Sequence, residues 1–240
     1  MTGKTTRLFL TLFLPILLTV LLSCRDEKPA VKEVSTYQDK PFLQEFHDAY
    51  TLPGGNAYND VRSIAADQQS NIWIATGAGI YQKKRDERGW QEVITGDDKG
   101  PAFAVEPDQK NTVWLGNWNG LFAFRNGQLA KVTGPKGPIS AVCAATEGVY
   151  ALGPNGFWFN DGKGFQPIND PIARSVRDVV SDKNGGLWMA TDVGLYHWTK
   201  KKLSHFYKTD ELISGYAKGL AFDSDQKLWV AGLGGITIRD

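Results

Sequence analysis

Short apolar runs alternate with polar ones along most of the chain, and they recur at nearly even intervals. Val61-Arg62-Ser63-Ile64-Ala65 gives way to a polar stretch, then to Ile72-Trp73-Ile74-Ala75-Thr76, a glycine, and Ile80-Tyr81-Gln82-Lys83. Runs this short, rich in β-branched and aromatic residues and broken by glycine, predict strands rather than helices. A fourth strand follows in most units, as in Trp90-Gln91-Glu92-Val93-Ile94 and Leu203-Ser204-His205-Phe206.

Aligning the units on one aromatic residue makes the repeat explicit. The anchors are Trp73, Trp114, Tyr150, Trp188 and Trp229, spaced by 41, 36, 38 and 41 residues. Six residues after each anchor stands a glycine (Gly79, Gly120, Gly156, Gly194, Gly235), followed at once by an apolar residue. Six residues before it stands Asp67, Asp108, Asp182 or Asp223, while the third unit has Ala144 there and a turn that has lost a residue. The aspartate suits a turn whose backbone N–H groups need an acceptor. The glycine suits a hairpin that requires positive φ. The anchor supplies a large buried area to wedge between neighbouring sheets.

Four strands in about 40 residues, repeated, predict an all-β fold, a β-propeller of five four-stranded blades. The last unit ends just after its third strand, and an orphan strand, Leu43–Tyr50, precedes the first unit. That strand is expected to serve as the fourth strand of the last blade and close the ring, removing exposed edges. The competing expectation is an open fragment of a larger propeller.

The N-terminus reads differently. Lys4 and Arg7 precede an apolar run from Leu8 to Leu22 that contains Pro15. Fifteen residues are short for a bilayer-spanning helix, so 1–23 read as a signal peptide. The ending Leu21-Leu22-Ser23-Cys24 resembles the lipobox of bacterial lipoproteins, which implies lipidation of Cys24 and anchoring to a membrane. Residues 24–40 are polar and aperiodic and read as a tether, spanning roughly 20–24 Å if flexible. Asp26-Glu27 resembles a surface-export signal of outer-membrane lipoproteins, so the bacterial outer membrane is the expected address. Residues 41–240 hold the propeller.

Composition narrows the function classes. The chain carries 27 basic and 26 acidic residues, and losing residues 1–23 removes only Lys4 and Arg7, leaving a net charge of −1. This argues against nucleic acid as a partner, because such a surface needs excess cations. Two cysteines exclude a disulfide scaffold and a cysteine-ligated zinc module. With Cys24 lipidated, Cys143 is expected to be a small buried hydrophobe.

The pattern V-x-x-[IV]-x-x-D-x-x-x-x-[IL]-W-[IVM]-A-[TG]-x-x-G-[ILV] resembles the two-component regulator propeller repeat. The resemblance covers 43–240 and implies a propeller of the kind found in periplasmic sensor domains that recognise glycan fragments. No kinase, receiver or DNA-binding segment follows the repeats, so direct transmembrane signalling by this polypeptide is not expected.

Candidate chemistry is sparse. His47, His197 and His205 lack metal-ligand spacing and are expected on outer strands. There is no nucleophile elbow, phosphate loop or dinucleotide fingerprint, and neither cofactor nor metal is expected. The four repeat aspartates are read as turn closers rather than catalytic carboxylates. The loops between second and third strands should converge on one face, and Asn117-Trp118-Asn119 places an unneeded tryptophan between two amides there. Arg177, Asp178 and Asp192 are expected to add polar contacts. The reading is a non-enzymatic, lipid-anchored propeller that binds a glycan or an envelope protein through its loop face. The alternatives are a propeller lyase or glycoside hydrolase, and the truncated sensor domain of a two-component regulator.

Overall fold

In the computed structural model the described residues are 49–169, 176–182, 184–200, 202–207, 212 and 214–239. All but Ala49 belong to one unit, Tyr50–Asp240. The expected signal peptide, Cys24, the expected tether and His47 lie outside the described residues, as does all but the last two residues of the expected orphan strand. A short helix, α1 (Asn56–Asn59), leads into five antiparallel sheets. The first blade holds β1 (Val61–Ala66), β2 (Ile72–Thr76), β3 (Gly79–Lys83) and β4 (Gln91–Glu92). The second holds β5 (Ala102–Pro107), β6 (Thr112–Asn117), β7 (Gly120–Arg125) and β8 (Gln128–Lys131). The third holds β9 (Ala141–Ala145), β10 (Gly148–Gly153), β11 (Gly156–Asn160) and β12 (Gln166–Ile168). The fourth holds β13 (Val176–Ser181), β14 (Leu187–Thr191), β15 (Gly194–Thr199) and β16 (Lys202–Phe206). The fifth shows β17 (Ala217–Phe222), β18 (Leu228–Gly232) and β19 (Gly235–Arg239). The fold is the five-bladed β-propeller that the repeat predicts.

Each repeat aspartate does more than close its turn. Asp67 Oδ1 accepts the Gln69 and Asn71 backbone N–H groups, and its Oδ2 accepts Trp73 Nε1–H at 2.8 Å. Asp108 does the same for Lys110, Thr112 and Trp114, and Asp223 for Lys227 and Trp229. A buried indole must find a partner for its N–H, and the spacing of six places the carboxylate beneath it. The fourth blade varies the arrangement: Asp182 Oδ2 lies 2.9 Å from His197 Nε2, and the His197 ring stacks on Trp188 at 4.1 Å. In the third blade the turn between β9 and β10 is two residues, against five between β1 and β2. It is therefore three residues shorter, not one, and Glu147 there accepts the Tyr150 hydroxyl.

Anchor faces pack against the following blade. Trp73 is fully buried and meets Phe124 edge-on at 4.9 Å, among Val105, Val113, Leu115 and Phe122. Tyr150 and Phe157 bury against Trp198, Val179, Leu187 and Met189. Cys143 joins that core, and burial pushes its thiol up to about 12, so it is a packed hydrophobe. In the fifth blade Trp229, Ile236 and Ile238 are exposed.

The innermost strands meet in sequence, β1 with β5, β5 with β9, β9 with β13 and β13 with β17, and their free edges raise an accounting question: where does each edge N–H go? Side chains of the first strands answer it. Ser63 Oγ accepts Val105 N–H, Glu106 Oε1 accepts Ala144 N–H, and Asp178 accepts Val179 N–H on one oxygen and Leu220 N–H on the other. Three of these bonds cross from one blade to the next.

Two consequences are measurable. Asp67→Ala leaves the buried Trp73 N–H and two turn N–H groups without acceptors, so urea denaturation should show a loss of about 2–3 kcal/mol. Asp223→Ala, beside a more exposed tryptophan, should cost much less. For Glu106, burial pushes the carboxyl up to about 7, with Asp178 and Asp108 adding to the shift. The unfolded chain then releases this proton before the folded one, so stability falls as pH rises from about 4.5 to about 7 and stays low above. Glu106→Gln keeps an acceptor for Ala144 N–H and removes that term. Its denaturation midpoint should exceed wild type at pH 8, by up to about 3 kcal/mol in stability, and match it near pH 4.5.

Candidate functional site

The hairpins joining β2 to β3, β6 to β7, β14 to β15 and β18 to β19 sit at the same end of their blades. A threonine closes two of them. Thr76 Oγ1 accepts the Ala78 and Gly79 N–H groups and donates to Gly79 O, and Thr191 repeats the pattern with Val193 and Gly194. Asn117 stands at the same repeat position. It is buried, its Oδ1 accepts Asn119 N–H, and its Nδ2 donates to Asp98 O at 2.8 Å. Asn119 Nδ2 donates to Lys99 O at 3.1 Å. Both amides therefore bind the hairpin to the segment Asp97–Lys99, which overlaps the 3-10 turn Gly96–Asp98. These bonds fix the hairpin that carries Trp118. Trp118, between them, is 57% exposed, and its backbone N–H donates to Pro101 O. Val193 and Leu233 are exposed at the tips of the equivalent hairpins.

At the propeller's centre, the first strands of all five blades line one cavity of about 660 Å³. Four of these strands carry a register irregularity just after their first residue. The extra residue is Arg62, Phe103, Arg177 or Lys218, and each of the four lines the cavity. A bulge re-aims a side chain out of the ladder, and here it sends three cations and an aromatic ring toward the channel. Arg62 pairs with Asp60 at 2.8 Å and lies over Phe103. Arg177 pairs with Asp192, holding the Asp192 carboxyl below its ordinary range, and lies 4.9 Å from the Tyr216 ring centre. Lys218 lies over the same ring from 5.8 Å.

The structure thus joins Arg177 to Asp192 and places Tyr216 beside them. It does not bring that pair to Trp118, which belongs to a different blade. Asp178 is half-buried in the channel wall, where desolvation raises its pKa, and both its oxygens are engaged by backbone N–H groups. It stitches the fourth blade to the fifth. Sequence reasoning missed Glu106, Arg62 and Phe103. The signal for the last two was present: each follows the small or apolar residue that opens a first strand. His197 and His205 lie on third and fourth strands, away from the channel; His205 stacks on Tyr196 at 3.8 Å. Among the described residues no three His, Cys, Asp or Glu side chains gather as metal ligands.

Comparison with known proteins agrees with this architecture. Residues 55–78 match the family described as two component regulator propeller. No curated protein matches the chain in sequence. Among solved structures, the extracellular domain of a putative hybrid two component system of B. thetaiotaomicron superposes with a TM-score of 0.63 at 18% identity, covering 75% of this chain and 27% of that one. PorZ, a surface component of the type-IX secretion system of Porphyromonas gingivalis, gives 0.60 at 16% identity, covering 75% and 32%. Virginiamycin B lyase from Staphylococcus aureus gives 0.61 at 12% identity, covering 77% and 67%. This chain therefore spans less than a third of the sensor and PorZ chains. Residues 55–78 thus carry a two component regulator propeller repeat, and the solved structures share the propeller fold with this chain.

Proposed function

We propose that this chain is a non-enzymatic propeller, anchored to the bacterial outer membrane by lipid on Cys24, that binds a glycan or an envelope protein through its loop face. The observation that carries the reading is Trp118: an exposed indole on a hairpin that two side-chain amides fasten to the neighbouring loop. An aromatic held in place before the partner arrives loses little entropy on binding, and tryptophan is the residue type that dominates recognition surfaces. Val193 and Leu233 are likewise exposed at the hairpin tips of the fourth and fifth blades. The similarity to a sensor domain and to a secretion-system surface component supports recognition at the cell envelope. Asp178, one carboxylate of the cavity lining, has both oxygens engaged by backbone donors, which supports a structural rather than a hydrolytic role for that residue.

A thermal-shift screen of the full chain against neutral and acidic oligosaccharides tests the site. Ligand at about 100 times its dissociation constant should stabilise by about 2.7 kcal/mol, several degrees in melting temperature. Trp118→Ala should melt like wild type without ligand and lose the shift. A shift that survives Trp118→Ala rejects the site, and no shift with any glycan leaves an envelope protein as the partner. For the anchor, Cys24→Ala should abolish incorporation of labelled fatty acid and move the chain out of the membrane fraction.

A further inference from the structure

At the end of the blades opposite the hairpin tips, the junction between the second and third blades departs from the junction before it in three ways. In the first junction, Trp73 is capped by Phe124, which stands ten residues after the second anchor. The equivalent residue of the third blade is Asn160, whose side chain accepts Gly162 and Gly164 N–H groups instead. Across the sheet from Trp73 stand Gln82 and Gln91, whereas Trp114 has Ala123 and Ala130 in those positions. The first turns of blades one and two also touch, through Gln68 to Asp108 O and Gln69 to Asn111 Oδ1. The third blade's turn is too short to continue that contact.

These three changes leave a cleft of about 600 Å³ between the blades, a volume in the range of small-molecule sites. Phe165 covers one side of Trp114, edge-on at 5.6 Å. The indole otherwise stays half-buried, with its N–H already engaged by Asp108. Alanines 123, 130, 144 and 145 keep the space around it open. The rim carries donors and acceptors together, in Arg125, Gln128, Glu147 and Asn160. Charge is nearly balanced there, Lys110 and Arg125 against Glu147 and Asp161, with Asp108 held in its own turn.

We propose that this cleft is a second binding site, for a neutral pyranose sugar, with the apolar face of the ring laid on Trp114 and its hydroxyls bonded to the rim. A phosphate-bearing ligand would call for surplus cations, which the cleft lacks, and a lipid tail for a mouth without the charged and amide groups of this rim. The site lies apart from Trp118 and stands whether or not the loop face binds a glycan.

Titration calorimetry of the full chain with maltotriose, cellotriose, xylotriose and chitotriose, up to about 10 mM, tests it. At least one should bind saturably. Ala130→Trp and Ala123→Leu, which fill the cleft from two strands, should each weaken that binding at least tenfold, and Trp118→Ala should leave it unchanged. Absence of saturable binding by all four sugars overturns the proposal. Binding that both filling variants leave intact overturns it too, and if Trp118→Ala abolishes that binding, the sugar belongs to the loop face.

Discussion

A carboxylate six residues before a tryptophan receives two kinds of donor at once: the N–H groups of a tight turn and the N–H of an indole that must be buried. Each would be costly if left without a partner inside the molecule. One aspartate therefore couples the local geometry of a turn to the packing of a sheet against its neighbour. Because the bond is internal to the blade, each blade can fix its anchor before the next is in place. The rest of the propeller depends on anchors held in this way, since they fill the wedge between sheets. The fourth blade varies the pairing: Asp182 engages His197, whose ring stacks on Trp188.

A second layer of bonding works between blades. Innermost strands have edges that no further strand can pair, and water in a narrow channel is a poor substitute for a fixed acceptor. Ser63, Glu106 and Asp178 supply that acceptor to successive blades. The price is a pair of carboxyls held in a desolvated wall, with raised affinity for protons. The same strands use bulges to send Arg62, Phe103, Arg177 and Lys218 into the cavity, so that its lining is set by backbone register as much as by residue choice.

The repeat was legible in the sequence because its determinants are local and periodic: anchor, glycine and aspartate at constant offsets. Trp118 was legible as a residue its turn did not need. The roles of Asn117 and Asn119 were not, because the loop they hold, Asp97–Lys99, approaches only when the second blade is folded. Glu106 was hidden for a related reason. It stands eight residues before its anchor, whereas Ser63 and Asp178 stand ten before theirs, so no alignment of units groups the three. Their shared task is visible only once neighbouring blades are set side by side.

The short turn of the third blade carries a wider lesson. A ring of near-identical parts, each closed by its own internal bonds, can tolerate a deletion in one part without asking the others to adjust. Glu147 and Tyr150 replace the lost closure within the same blade. Redundancy of this kind makes a single blade available for alteration, and the scaffold can acquire asymmetric features while its neighbours continue to hold the ring.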